Sequence, residues 1–386
     1  MAVPARPVDC IGDPGDRPRL FLDGKKTYRI RVVNTGSLAG FTLTFARETL
    51  ELIHLDGGIP IEPQLEHSIN SAGILFPGQR MDFILRPAST GGTHEKRSLL
   101  MVDLDQGCFK YPNPALTPRH GFPIIKSTRP DNNADDVVDL ENETTSDNHN
   151  RRIDISKTPS ATSILAPLPP KAQQTHIIYT KIEKLSRLHN IPYGFFNRTT
   201  WRPQRDPPFP LIVLAREQWD RNQFAVWTGP QPVWVDLVVN NLDEGGHPFH
   251  LHGHNFFVLA LHESTHGWGS YNPFVDRPQL STTSSTTTSN KENQEDDTDA
   301  DPYDLTHAIL RDTVQIPRRG YAVLRFRADN PGVWLFHCHI LWHLAGGMAM
   351  LVDVMGEETR AHQPELVVSS SDDDEEKEGR ECRYDS

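Results

Sequence analysis

The sequence lacks any run of 18 apolar residues, so no segment of it is predicted to cross a membrane as a helix. Cysteine is also rare, because Cys10, Cys108, Cys338 and Cys382 occur singly, without the regular spacing of a disulfide framework. Residues 1–10 have no apolar core of a secretory signal, so this start, taken literally, predicts a cytosolic protein.

Positive charge is scarce as well. The 386 residues include 39 Lys and Arg against 51 Asp and Glu, which gives a formal net charge of -12. Phosphate binding needs clustered Lys and Arg, so nucleic acid is not an expected partner. Much of the negative charge lies in two acidic runs, which indicate solvated segments rather than a binding face.

Short strand patterns are frequent in the first third of the chain. Tyr28–Val33 and Phe41–Phe45 alternate between apolar and polar residues, and turns with Gly and Pro separate such segments at roughly ten-residue spacing. Val233–Val239 and Ala322–Arg327 are further strand candidates in the second half. The patterns predict an all-β protein built from sandwich or barrel domains.

Composition divides the chain into five parts. Polar, acidic or Ser/Thr-rich stretches are interpreted as disordered, and the strand-rich stretches as domains. The predicted parts are a disordered start at 1–17, a β domain at 18–126, a disordered linker at 127–170, a second β domain at 171–357 with a disordered insertion at 281–301, and an acidic disordered tail at 358–386.

Two histidine-rich segments carry the chemistry. One begins at His247 and reads HPFHLHGH, and the other begins at His337, reads HCHILWH and continues to Met348. Neighbouring side chains of a strand point to opposite faces, so His337 and His339 would share one face and Cys338 the other. A stretch of three residues is therefore predicted to serve two metal sites at once.

The first predicted site has Cys338 as its thiolate ligand. His343 follows five residues later and Met348 five residues after that, and His247 supplies a second imidazole where Pro248 restricts the backbone. Cys, two His and a weak axial Met form the trigonal blue-copper site. Met350 competes with Met348 for the axial position, and the five-residue spacing favours Met348.

The second predicted site collects His250, His252, His337 and His339, and imidazole is a good copper ligand. We expect electrons from a small reductant to enter at Cys338. They would then cross through Cys338 and its covalent neighbours His337 and His339 to reduce dioxygen to water. His254 is interpreted as a supporting residue or as a further ligand, and Trp342 as core packing.

These segments resemble the multicopper oxidases, namely laccases, ascorbate oxidases and iron-oxidising relatives. The flanking Asn240–Gly246 and Arg318–Tyr321 are similar to the filamentous-fungal branch. The resemblance covers most of residues 18–110 and 171–357 and implies cupredoxin-like Greek-key domains. Residues 18–126 would be part of the family's second domain, which binds no copper, and 171–357 the complete copper-binding domain.

The resemblance also implies a ligand set. It places the type 1 copper ligands at His247, Cys338, His343 and Met348, a type 2 ligand at His250, and type 3 ligands at His252, His337 and His339. In the family the first domain adds two His-x-His motifs, and this sequence has no such pair before His250. The expectation is a fragment without that domain, with half of the cluster's imidazoles and the signal peptide of a secreted or cell-surface protein absent.

The resemblance implies one-electron oxidation of phenols coupled to reduction of dioxygen. A ferroxidase acting on ferrous iron is an alternative, and a copper-binding electron-transfer module is another, because only the type 1 site is complete. Asp243 and His247 are the predicted substrate contacts. Asp243 would steer a cation as in iron-oxidising relatives, accept the proton of a phenol, or simply be a solvated turn residue.

Overall fold

The structure is a computed structural model of the chain. The predicted disordered start, insertion and tail, and the polar part of the predicted linker, lie outside the residues that it describes. The described residues are 18–23, 25–63, 69–87, 97–109, 111, 116–126, 152–264, 267, 269–272 and 303–356.

Among the described residues, ten strands form the N-terminal unit. They are β1 (Leu20–Leu22), β2 (Tyr28–Val33), β3 (Phe41–Phe45), β4 (Thr49–Leu55), β5 (Ile59–Pro60), β6 (Ser71–Leu75), β7 (Arg80–Arg86), β8 (Arg97–Leu104), β9 (Arg119–Lys126) and β10 (Arg152–Asp154). One sheet has the order β1-β9-β8-β3-β6-β10 and the other the order β2-β7-β4-β5.

The period of two along each strand places the core of this unit. In β7 the buried residues are Met81, Phe83 and Leu85, and the residues between them are partly exposed. The ring of Phe83 packs edge-on against Phe45 of β3, with ring centroids 5.7 Å apart. The two sheets therefore share one apolar core, as in a β-sandwich.

Eleven strands form the described part of the C-terminal unit. They are β11 (Gln174–Lys184), β12 (Pro192–Phe196), β13 (Ala225–Trp227), β14 (Val233–Asn241), β15 (His247–Leu251), β16 (Phe256–His262), β17 (Ile309–Arg311), β18 (Thr313–Ile316), β19 (Tyr321–Ala328), β20 (Gly332–Cys338) and β21 (Ala349–Val354). One sheet has the order β12-β11-β14-β19-β16-β17 and the other the order β13-β21-β20-β15-β18.

Aromatic rings fill the core of the C-terminal unit beneath the histidine segments. Phe249 of β15 stacks on Phe336 of β20 with centroids 5.1 Å apart, and Phe196 of β12 meets Phe249 edge-on at 5.5 Å. All three side chains are fully buried. Because these rings lie between the two sheets, they hold β15 and β20 in fixed positions relative to β12.

The predicted disordered linker at 127–170 is wrong for residues 152–170. This stretch contains β10, which pairs in parallel with β6, and a short helix, α1 (Thr162–Leu165). Ile153 and Ile155 are buried in the core of the N-terminal unit. The linker is polar on average, so its composition does not indicate a strand. Ile153 and Ile155 are nevertheless two residues apart, which is the spacing of side chains on one face of a strand.

Helices are few. They are α1, α2 (Leu341–Ala345) and the 3-10 turns Gln106–Cys108, Ser186–Leu188, Leu211–Val213, Arg216–Gln218 and Leu305–His307. None of the helices within the described ranges is long and apolar enough to cross a membrane. The predominance of strands confirms the all-β fold predicted from sequence.

Candidate metal centre

The two histidine-rich segments are neighbours in one sheet. β15 and β20 run antiparallel, and their register pairs Phe249 with Cys338 and His250 with His337. Residues paired directly across a ladder project from the same face, and the next residue of each strand projects from the other. Histidines of both segments therefore meet on one face, and Cys338 projects from the opposite face.

The thiol of Cys338 lies between two imidazoles. Its Sγ atom is 3.7 Å from Nδ1 of His247 and 3.5 Å from Nδ1 of His343. The ligand atoms of these three residues all lie within 4.8 Å of one another. Cys338 is fully buried and His247 is 2 % exposed. These three residues are called the thiol centre below.

The chain folds back after Cys338 so that Met348 returns to it. The amide of Cys338 donates to the carbonyl of Met348 at 3.1 Å, and the amide of Met348 donates to the carbonyl of His343 at 2.8 Å. The ladder between β20 and β21 pairs Phe336 with Met350. Two residues further along this register, Met348 and not Met350 lies opposite Cys338, and its side chain is fully buried.

Asp243 binds the far side of one of these imidazoles. Nε2 of His247 lies 2.9 Å from Oδ2 of Asp243, and a carboxylate accepts, so Nε2 carries the proton. The amide of Ile182 donates to both oxygens of the same carboxylate, at 3.1 and 2.9 Å. With its proton on Nε2, His247 turns the lone pair of Nδ1 toward the sulfur of Cys338, as a metal ligand must.

Four other imidazoles converge on the opposite face, and they are called the imidazole cluster below. Ring centroids are 4.9 Å apart for His250 and His252, 5.2 Å for His252 and His337, and 5.8 Å for both His250–His337 and His337–His339. The Nε2 atoms of His252 and His337 approach to 3.1 Å. Residues at the end of β15 and on both sides of Cys338 therefore form one concentrated set of nitrogen donors.

Backbone carbonyls fix which nitrogen of two cluster rings is free. Nδ1 of His250 lies 2.9 Å from the carbonyl oxygen of Asp312, and Nδ1 of His337 lies 3.0 Å from that of Cys338. A carbonyl only accepts, so both Nδ1 atoms carry protons and both Nε2 atoms keep their lone pairs. This is the tautomer that a metal bound at Nε2 requires.

The protonation states also fit metal binding. Burial, together with the neighbouring imidazoles, lowers the pKa of His337 to about 4, and burial lowers the pKa values of His252 and His339 as well. These rings are therefore neutral donors at neutral pH. Burial raises the pKa of the Cys338 thiol, so a metal ion has to displace its proton. A thiolate with imidazoles suits copper.

Two residues beside the imidazole cluster, Arg80 and Asp312, were not predicted from sequence. Asp312 precedes Thr313 at the start of β18 and touches His250, and Arg80 of the N-terminal unit binds both of its carboxylate oxygens at 2.6 Å. Burial opposes ionisation of Asp312, but the hydrogen bonds and positive charge of Arg80, with a further hydrogen bond from Thr313, hold its pKa well below the usual value. A Pro-Gly turn followed by Arg, and an isolated Arg-Asp-Thr triplet, are too common to have indicated this contact.

Two neighbours of the histidine segments have other surroundings. His254 packs its ring against Phe326 and Trp334, and its Nδ1 lies 3.4 Å from the carbonyl of His252. Trp342, which was interpreted as core packing, is 50 % exposed on α2. The interpretation of Trp342 is wrong because α2 lies at the surface and turns only its other face inward.

Comparisons with known proteins agree with this arrangement. Two family models, each described as multicopper oxidase, match residues 189–358 and 7–94. The iron transport multicopper oxidase FET3 of Gibberella zeae is 29% identical over 335 residues, which are 85% of this chain and 46% of that protein. The iron transport multicopper oxidase FET5 of Saccharomyces cerevisiae is 26% identical over 350 residues, 85% of this chain and 49% of that protein.

Solved structures show the same fold. The crystal structure of Fet3p, described as a multicopper oxidase that functions in iron import, superposes with a TM-score of 0.66 at 19% identity and covers 89% of this chain and 58% of that one. The laccase of Botrytis aclada superposes with a TM-score of 0.55 at 21% identity and covers 92% of this chain and 60% of that one.

The described strands thus have the cupredoxin-like arrangement of these proteins. The chain spans about half the length of the curated relatives that it matches. The two family models together with the two histidine segments show that the chain belongs to the multicopper oxidase family.

Proposed function

We propose that this chain is the copper-binding part of an oxidoreductase that takes single electrons from a small reductant and passes them to dioxygen. One observation carries the proposal. Cys338 belongs to the thiol centre, while His337 and His339, covalently joined to it, belong to the imidazole cluster. The two donor sets are thus connected through the backbone of a single strand end.

Each donor set has a distinct task in this proposal. His247, Cys338, His343 and Met348 would hold one copper ion, and His250, His252, His337 and His339 would provide ligands for further copper. Bound copper would supply one-electron redox chemistry at both sets. The surrounding core excludes water from Cys338, and the carbonyls of Asp312 and Cys338 orient two of the rings.

Copper loading tests this proposal directly. We expect the copper-loaded chain to show the intense visible absorbance of a thiolate-bound copper, and the variant Cys338→Ser to lose it. Both proteins should retain the same far-ultraviolet circular dichroism, which controls for folding. A blue Cys338→Ser variant, or a copper-loaded chain without that absorbance, would contradict the proposal.

The reductant is proposed to be a phenol, as the fungal-branch resemblance implies. Asp243 is the residue that a substrate would meet, because its side chain is 15% exposed whereas that of His247 is 2% exposed. A carboxylate at this position can accept the proton that a phenol releases on oxidation. The imidazole bonded to the carboxylate lies between it and Cys338.

Ferrous iron is the second candidate reductant, and the same contact favours it. A carboxylate attracts a cation, and it lies 2.9 Å from an imidazole of the thiol centre. The curated relatives in Gibberella zeae and Saccharomyces cerevisiae bear names of iron transport oxidases. Asp243 could therefore take part in the oxidation of either a phenol or ferrous iron. The effect of removing its charge on the two rates distinguishes these reactions.

Rates of copper reduction by ferrous iron and by a diphenol, compared between variants, decide between the two reductants. Asp243→Ala should slow iron much more than the diphenol if iron is the substrate. The matched control is Glu244→Ala, which removes the next carboxylate, one paired with Arg319 at 2.8 Å. Equal decreases in the rate of copper reduction by both reductants, or a larger decrease for the diphenol, would contradict the ferroxidase proposal.

A copper-binding electron-transfer module is the remaining alternative, since only the thiol centre has all its predicted ligands among the described residues. Oxygen reduction would then require further imidazoles from another segment or polypeptide. One blue copper per chain without oxygen uptake would favour the module. More than one copper with oxygen uptake would favour the oxidase. A secreted or cell-surface location, implied by the family, stays a proposal.

A further inference from the structure

A turn of the N-terminal unit reaches the imidazole cluster of the C-terminal unit. It comprises residues 76–79, between β6 and β7, and Arg80 follows it as the first residue of β7. Gly78 has φ +83, and a Cβ atom added to it would lie 2.4 Å from Cδ2 of His339. The backbone of the turn therefore lies directly against one ring of the cluster, at a place where only glycine leaves enough room.

Arg80 extends this contact through two parallel hydrogen bonds. Its Nη1 donates to Oδ1 of Asp312 and its Nη2 donates to Oδ2, each at 2.6 Å, and Nη1 also donates to the carbonyl of Gly78 at 3.1 Å. A bidentate pair of this kind fixes the plane of the carboxylate as well as its position. The carboxylate is 15% exposed, so solvent weakens the pair only partly.

Asp312, whose carboxylate Arg80 fixes, is also a hydrogen-bond partner of His250. Nδ1 of His250 bonds to the carbonyl of Asp312 at 2.9 Å and lies 3.0 Å from Oγ1 of Thr313. Oγ1 of Thr313 in turn donates to Oδ1 of Asp312 at 2.8 Å. Nε2 of Gln79, in the same turn, donates to the carbonyl of Thr313 at 3.1 Å. Two residues of the N-terminal unit thus hold Asp312 and Thr313, which lie against Nδ1 of His250.

We propose that Arg80 is a positioning residue for His250 and acts by binding both carboxylate oxygens of Asp312. Through this contact the N-terminal unit, which is not predicted to bind copper, determines the tautomer and orientation of a ligand in the C-terminal unit. The role of His250 as a ligand rests on the proposed function. The positioning itself is a property of the polypeptide and exists without metal.

The alternative partner of His250 lies close by. Oδ1 of Asp312 is 3.6 Å from Nδ1 of His250, just outside bonding distance. When Arg80 occupies the carboxylate, the ring bonds to the backbone carbonyl instead. Without Arg80 the carboxylate is free to turn and accept the imidazole proton itself. That exchange would rotate the ring and make it more basic, because a carboxylate is a stronger acceptor than a carbonyl.

The first experiment needs no metal. Ring nitrogen shifts of the copper-free full chain, labelled with ¹⁵N-histidine and assigned with His250→Gln, report tautomer and hydrogen bonding. We expect a single Nδ1–H signal for His250 in the wild-type chain, and a displaced or exchange-broadened one in Arg80→Met. An unchanged His250 signal in Arg80→Met would overturn the proposal. Arg80→Lys, which keeps the charge but not the two-pronged geometry, answers the same question should Arg80→Met not fold.

The second experiment measures copper affinity by competition with a chelator. Loss of a residue that orients a ligand typically weakens metal binding 10–100-fold, so we expect about that loss for the non-blue copper of Arg80→Met. The blue absorbance of the thiol centre should be retained. Equal weakening of both coppers would mean a general structural role and would overturn the proposal.

The matched control is Arg29→Met. Arg29 also donates twice to a carboxylate, that of Asp82, at 3.1 and 2.6 Å, but both residues belong to the N-terminal unit. We expect this variant to leave the copper affinities and the His250 signal unchanged. If the wild-type chain binds no non-blue copper, the proposed function fails, and the metal-free spectra still decide whether Arg80 positions His250.

Discussion

Oδ2 of Asp243 lies 2.9 Å from Nε2 of His247, and the amide of Ile182 donates to the same carboxylate. One side chain thus links strand β11, the turn before β15 and the thiol centre. The contact is partly buried, so its hydrogen bonds contribute to stability as well as to the orientation of the imidazole.

Removal of this carboxylate should destabilise the copper-free chain. Asp243→Ala leaves the buried His247 and the amide of Ile182 without their acceptor, which costs about 1–3 kcal/mol. Asp243→Asn keeps one acceptor oxygen and should cost less. Urea unfolding followed by tryptophan fluorescence gives both values. Glu244→Ala, which breaks an exposed ion pair, should change stability by only about 0–1 kcal/mol; an equal cost for both alanine variants would contradict this account.

The buried imidazoles predict how stability depends on pH. Burial lowers the pKa of His337 to about 4 in the folded chain, from about 6.5 in an exposed ring. Protons therefore bind preferentially to the unfolded chain between these values. Stability is fully present above pH 6.5 and is lost as pH falls toward 4, by roughly 3 kcal/mol for this one group.

Urea unfolding of the copper-free chain at pH 7.0, 5.5 and 4.5 measures this loss. His337→Gln should reduce the slope without abolishing it, because burial also lowers the pKa values of His252 and His339. His120→Gln, on the exposed side of β9, controls for the substitution itself and should preserve the wild-type slope. A wild-type chain equally stable at all three pH values would show that the ring is not held neutral by burial.

Sequence alone predicted the two donor sets because their members lie in two short segments. Whether Cys338 and His337 face the same metal depends only on the period of two along a strand, which needs no tertiary information. The all-β fold was also accessible, since strands such as β7 alternate strictly between buried and partly exposed residues.

Contacts between the two units were not predictable in the same way. Arg80 and Asp312 are 232 residues apart, and no local pattern pairs a given Arg with a given Asp over such a separation. The strand Arg152–Asp154 was missed for a different reason. Its three residues pair with β6, and they become buried only in a core that other parts of the chain form. Strand formation here therefore depends on tertiary contacts more than on local composition.

Close packing around Met348 makes Gly194 intolerant of a side chain. A Cβ on Gly194 would lie 2.4 Å from Cβ of Met348 and 2.7 Å from its Cα. Gly194→Ala should therefore cost about 1–3 kcal/mol through overpacking, and it should shift the visible band of the copper-loaded chain by displacing Met348. Thermal unfolding and absorbance spectra measure the two effects.

Gly245→Ala is the matched control for this substitution. A Cβ on Gly245 would have nothing within 4 Å, so we expect little change in stability and none in the spectrum. If Gly194→Ala behaved like Gly245→Ala, the close approach of β12 to Met348 would not exist.

The two units are joined by a buried ion pair, and its removal should be costly. Nε of Arg311 donates to Oδ2 of Asp56 at 2.7 Å and Nη2 donates to Oδ1 at 3.2 Å, with the two residues 1% and 2% exposed. Arg311→Met leaves a buried carboxylate without its main partner, which typically costs about 3–5 kcal/mol. Urea unfolding should show this loss.

A double variant distinguishes the loss of the Arg311–Asp56 ion pair from the loss of packing by the Arg311 side chain. Arg311→Met with Asp56→Asn removes the stranded charge, and Asn tolerates the φ of +33 at this position. Because the charge is gone, we expect the double variant to recover part of the stability lost by Arg311→Met alone, through a coupling of about 0.5–3 kcal/mol. Arg29→Met, which breaks an exposed pair, should cost only about 0–1 kcal/mol. Additive losses in the double variant would mean that Arg311 contributes through its apolar stem and not through its charge.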